Sequence, residues 1–166
     1  MLNWHCSSKV IHMSEQRQIL HILAKTAHQL NQEKIAWAIG ASMLLYYKGI
    51  TDVFHDIDMM ISVEDAPRVE KILLDLGAVK EGLNPNPLYK TKCFMEFCLA
   101  GVEIDVLGGM IITQDGTDED CSFQKEKIEG YAQQDGETIP LYSLNEWRHF
   151  YSLMGRENKV RMIDNK

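Results

Sequence analysis

The stretch Asp56-Ile57-Asp58-Met59-Met60-Ile61-Ser62 joins a strand-length apolar run to two carboxylates at its beginning. In an extended chain alternate residues share a face, so Asp56 and Asp58 project together while Ile57 points the other way, into a core. Two like charges are thereby held side by side. That arrangement costs stability unless a cation lies between them or one carboxyl keeps its proton, and Mg²⁺ prefers oxygen ligands of this kind. A metal is the natural partner of this strand.

Upstream, residues 35–39 form a short apolar run ended by Gly40, and residues 41–48 read as a short helix closed by Gly49. Gly40-Ala41-Ser42 therefore falls where a strand turns into a helix. Free backbone N–H groups and the helix dipole favour an anion such as phosphate there, and Ser42 adds a hydroxyl donor. Farther upstream, Ile19, Leu20, Leu23, Ala27 and Leu30 recur at helical spacing, with Ser14 as cap and Glu15 in the first turn. Residues 1–13 carry no period and are expected to be a flexible amino-terminal segment, with Met13 a second candidate start.

Downstream, residues 67–76 read as a helix stopped by Gly77, followed by a loop rich in Asn and Pro at 82–87. Residues 93–99 and 102–107 flank Ala100-Gly101 and predict an antiparallel hairpin. Its second strand bears another same-face acidic pair, Glu103 and Asp105, either of which could supply a third ligand. Residues 113–120 are polar and acidic and read as a loop. Ser143-Leu144-Asn145-Glu146 matches a capping box, with Tyr142 and Trp147 as its hydrophobic staple and a helix running toward Gly155. About one helix is expected after residue 141. Together these elements predict a single α/β (α+β) domain over residues 14–166, a mixed β-sheet flanked by helices.

Composition narrows the function classes. A chain of 166 residues with 45% apolar content can bury a core without a disulfide scaffold. Four scattered cysteines read as reduced thiols, and six histidines lack the spacing of a zinc site. No window approaches a membrane span, so a soluble, cytoplasmic protein is expected. A net charge of −7 argues against a broad nucleic-acid footprint, leaving room for a local basic patch. Trp37, Tyr46, Tyr47, Trp147, Phe150 and Tyr151 have spacing that suits core packing, and His55 reads as a loop surface residue.

Strand, Gly-x-Ser, helix, thirteen intervening residues, D-x-D on a second strand, helix, then a hairpin with a third acid: in this order the chain resembles the nucleotidyltransferase superfamily. Its small members include bacterial aminoglycoside and lincosamide nucleotidyltransferases and AbiEii-type toxins. The resemblance spans residues 35–105, with a weaker echo at Gly155-Arg156. It implies a nucleotidyltransferase-type sheet in which Gly40 and Ser42 bind the β and γ phosphates of a nucleoside triphosphate and Asp56, Asp58 and Asp105 hold Mg²⁺ or Mn²⁺. Arg156 and Lys159 are the implied phosphate partners. Asp105, with Glu103 as competitor, would receive the proton of an acceptor hydroxyl while a nucleoside monophosphate is transferred and pyrophosphate leaves. The run Asp52-Val53-Phe54-His55 departs from the Arg or Thr common before D-x-D in that family. The short carboxyl-terminal part implies a small acceptor, or a site completed by a second subunit in a homodimer. Two other readings remain: a nucleotide- or partner-binding module without turnover, and a toxin-like enzyme acting on RNA or protein. The last would need a basic patch around Lys90, Lys92, Arg156, Lys159 and Arg161.

Overall fold

A computed structural model describes residues 13–82 and 90–166. The first helix, α1 (Met13–Gln32), buries Ile19, Leu23, Ala27 and Leu30, the stripe its periodicity demands. Ser14, expected as its cap, lies inside the helix instead. Lys34, at a left-handed φ of 56°, turns the chain into β1 (Trp37–Ile39), all three residues of which are buried. There follow α2 (Ala41–Tyr47), β2 (Ile57–Ile61), a 3₁₀ turn over Val63–Asp65 and α3 (Ala66–Asp75), which carries Pro67 in its first turn, where a missing N–H costs nothing. Then come β3 (Val79–Lys80), β4 (Cys93–Leu99), β5 (Val102–Gly108), β6 (Ile111–Gln114), β7 (Thr117–Asp120), β8 (Ile128–Gln134), β9 (Glu137–Tyr142), α4 (Leu144–Leu153) and α5 (Glu157–Asp164).

Seven strands form one mixed sheet in the order β3-β4-β5-β2-β1-β9-β8, and β6 pairs with β7 in a separate ribbon. β2 lies near the centre, antiparallel to β1 and parallel to β5. One helical cluster joins α1 to α3, with α1 also running along β9, and a second joins α2, α4 and α5. Ile57, Met59, Ile61, Ile104 and Val106 are fully buried and form the middle of the core. Their alternation with Asp58, Glu103 and Asp105 fixes which face of each strand is wet, because a slip of one residue would exchange the faces.

Several expectations need correction. Residues 113–120 are not a loop but the β6–β7 hairpin, closed by Asp115-Gly116 with φ of 49° and 77°. The β8–β9 hairpin, closed by Asp135-Gly136 with φ of 50° and 80°, was not foreseen and places β9 beside β1. Ala100-Gly101 makes the same kind of turn in the expected β4–β5 hairpin. Paired positive φ values match the right-handed twist of the flanking strands. Two helices, not one, follow residue 141. Ser143 caps α4 as expected, accepting the N–H of Glu146 at 3.2 Å, but the Glu146 carboxylate takes Lys127 at 2.6 Å. The Tyr142 ring packs on Phe123 and Phe150 in place of a staple to Trp147. The expected flexible segment, up to residue 12, and most of the loop at 82–87 lie outside the described residues. Among the described residues no helix is long and apolar enough to cross a membrane.

Candidate active site

The parallel register of β2 and β5 sets Asp58 beside Asp105, and Asp56 precedes Asp58 by one strand repeat. A carboxylate oxygen from each of the three lies within 4.8 Å of the others, close enough for all to bind one divalent ion. Glu103, on the same face of β5, is not part of this group. The antiparallel register of β4 sets Glu96 opposite Asp105, an acid that sequence reading passed over. Its signal was present: Glu96 is the one charged residue in the strand Cys93–Leu99.

Burial raises the Asp58 carboxyl well above the usual carboxylate range, and the neighbouring charges of Asp56 and Asp105 raise it further. Asp105 is pushed up to about 7, by burial first and then by Asp56 and Glu96. Asp56 is raised by burial but held back by His55, Arg156 and Lys159. Burial and then Asp56 raise Glu103 as well. Among the described residues no salt bridge reaches any of the three aspartates. A cluster of half-buried carboxyls whose basic neighbours stop short of a salt bridge fits a metal ion, which would supply further positive charge.

The cluster forms one wall of a cleft of about 1170 Å³. Ser42, His55, Lys92, Arg156 and Lys159 face the same space, whereas Gly40, Glu103, Lys90 and Arg161 do not line it. Arg156 caps α5 and Lys159 lies in its first turn. Burial lowers the Lys159 ammonium, and the Arg156 charge lowers it further. The cleft is therefore polar in its charge, acidic at the strand ends and basic where α5 begins. Phe54, buried against Tyr46 with ring centroids 4.6 Å apart, anchors the loop that delivers His55 and Asp56. Lys90 is held by Asp118 at 3.1 Å, which removes it from any free basic patch.

Gly40 has a different role from the one its position suggested. Its N–H donates to the Asp58 carbonyl at 3.1 Å and is not free for an anion. Its missing side chain makes room for Trp147: a Cβ at residue 40 would run into Cζ2, Cε2 and Nε1 of that indole. The next residue, Ala41, adopts a left-handed φ of 51°, a strained conformation for a residue with a side chain. Trp147, assigned to core packing from its spacing, is 2% exposed and yet contributes to the cleft wall.

No family model and no curated protein sequence matches this chain. Solved structures do. A proposed nucleotidyltransferase from Thermotoga maritima superimposes with a TM-score of 0.71 at 24% identity, over 93% of this chain and 97% of that one. The antibiotic-resistance factor ANT(2'')-Ia gives a TM-score of 0.61 at 15% identity, over 92% of this chain and 84% of its own. The lincosamide antibiotic adenylyltransferase LnuA, in its lincomycin-bound structure, gives 0.56 at 14% identity, over 94% and 98%. At these identities the likeness is one of fold.

Proposed function

We propose that this chain, which has the fold of small bacterial nucleotidyltransferases, is a metal-dependent nucleotidyltransferase that moves a nucleoside monophosphate from a nucleoside triphosphate to a hydroxyl group. The observation that carries the reading is the convergence of Asp56, Asp58 and Asp105, from two parallel strands, in a cleft that Arg156 and Lys159 also line. Asp56, Asp58 and Asp105 would hold Mg²⁺ or Mn²⁺, which when bound would neutralise phosphate charge.

The chain's own residues then divide the work. Arg156 and Lys159 attract and orient the triphosphate, with Ser42 donating its hydroxyl from the turn after β1. Asp105 would take the proton of an acceptor hydroxyl; Glu103, outside the triad, is the weaker candidate. A bond forms between the acceptor oxygen and the α-phosphorus, the bond from that phosphorus to the bridging oxygen breaks, and pyrophosphate leaves with its electron pair. Catalysis is mainly positioning and charge neutralisation. A solved complex of ANT(2'')-Ia with adenylyl-2''-tobramycin and the lincomycin-bound LnuA structure support a small hydroxyl-bearing acceptor for this cleft.

Calorimetric titration of several nucleoside triphosphates, with and without Mg²⁺, tests the reading against the doubly substituted Asp56→Asn/Asp58→Asn protein. Metal-dependent binding lost in that variant, followed by pyrophosphate release with a hydroxyl acceptor, is the expected result. Binding without release across an acceptor screen would leave a nucleotide-binding module, and absence of binding would remove the function altogether.

A further inference from the structure

The indole of Trp147 carries a problem that the proposed chemistry does not use. Its Nε1–H is buried and has no hydrogen-bond partner, one of two such side-chain atoms among the described residues. A buried donor left unpaired is costly, so native proteins seldom keep one without a reason. Trp147 is among the residues that line the cleft, and the ring edge that bears the N–H abuts Gly40, in the space a side chain there would fill. The adjoining residue, Ala41, is strained, and the one after that is Ser42. On the same helix Trp147 packs against Tyr151 with centroids 5.6 Å apart, and the Tyr151 carbonyl accepts the N–H of Arg156 at 2.9 Å. A single side chain thus spans the turn that presents Ser42 and the helix pair that presents Arg156 and Lys159.

We infer that Trp147 belongs to the anion-binding half of the cleft, where its indole N–H acquires a phosphate oxygen of the bound nucleotide as its acceptor. This rests on the nucleotidyltransferase reading. An unpaired donor lies in the same cleft as two cations without a salt bridge among the described residues, and an anion rich in acceptor oxygens would serve all three. Inorganic triphosphate has that chemistry without a base or sugar. Residue 40 must be glycine for the indole to lie at this place, so Gly40 acts through Trp147 as a positioning residue.

The test follows the indole N–H of Trp147 in ¹H–¹⁵N spectra of the full chain, its resonance assigned by its disappearance in Trp147→Phe. Titration with Mg²⁺ and inorganic triphosphate should shift that resonance in step with binding measured by calorimetry. Trp147→Phe, which keeps an aromatic ring but no donor, should bind triphosphate and nucleoside triphosphate about tenfold more weakly, as loss of a hydrogen bond to a charged acceptor requires. Its thermal midpoint reports whether the fold is intact. If Trp147→Phe fails to fold, the resonance is assigned in the wild type by through-bond and NOE correlations, and its titration decides. A resonance unmoved at saturation, or undiminished affinity in Trp147→Phe, overturns the inference and leaves the enzyme reading in place. A loss of affinity for nucleoside triphosphate with none for inorganic triphosphate overturns the phosphate assignment in favour of a contact to the nucleoside. Absence of any binding by the wild type sinks the enzyme reading, and this inference with it.

Discussion

The two faces of the β2–β5 pair are built from alternate residues of the same strands and have opposite energetics. On one face Ile57, Met59, Ile61, Ile104 and Val106 are wholly removed from water, each adding roughly 1.5–3 kcal/mol of hydrophobic stabilisation. On the other, Asp58, Glu103 and Asp105, joined by Asp56 and Glu96, face one another across the strands and are held in proximity against their repulsion. The first face makes the fold; the second draws on the stability the first provides. The pleat lets one backbone do both at the Asp58 and Asp105 end, where acidic and apolar residues alternate along each strand; farther along β2 both faces are buried.

Four substitutions or conditions would break or sharpen that contrast. Asp58→Asn should reduce Mg²⁺-dependent nucleotide binding roughly a thousandfold, about 4 kcal/mol, while raising the thermal midpoint of the metal-free protein, because it removes the most strongly disfavoured charge. Calorimetry and a thermal scan on one sample would give the two signs; a lower midpoint would mean the carboxylate is structural. On the opposite face Ile104→Ala should cost about 2–5 kcal/mol in urea unfolding through the cavity it leaves, by the same amount with or without metal. The pH dependence comes next. Asp105 titrates near 7 in the folded protein and near the ordinary carboxylate value when unfolded, so between these the folded state holds the extra proton. Metal-free stability is therefore greatest at the acid end of that window and should fall by on the order of 2 kcal/mol as pH rises through it to about 7. Saturating Mg²⁺ should reverse the slope, since the ion needs the deprotonated site. The smallest change is expected from Glu103→Gln, which should leave metal-dependent binding within about twofold. A loss as large as that in Asp105→Asn would transfer the ligand role to Glu103.

Much of this contrast was legible in the sequence. The run Asp56-Ile57-Asp58-Met59-Met60 announces a strand with an acidic face, and the turn at Ala100-Gly101 locates the hairpin that brings Asp105. Local signals failed where composition was allowed to overrule them. Asp115-Gly116 and Asp135-Gly136 are hairpin turns in their own right, but the acidic composition of 113–120 suggests a loop and the Gln- and Glu-rich strands of β8–β9 carry little apolar alternation. Pro140 also hides β9, because proline is rare inside a sheet, and here it stands in a strand with neighbours on both sides. Contacts between distant segments could not be read at all. Nothing near residue 147 indicates that its indole lies on Gly40, and nothing near Glu96 states the register that sets it against Asp105.

The parallel pairing of β2 with β5 has a consequence for the order of events during synthesis. Asp56 and Asp58 leave the ribosome together, whereas Asp105 follows only after α3, β3 and β4, and joins them only when the sheet closes at its centre. A nascent chain thus carries two of the three clustered carboxylates before the third can join them. Under the proposed function, an ion that needs all three carboxylates would not guide the chain toward its native pairing; it would arrive afterwards, as a latch on a finished sheet.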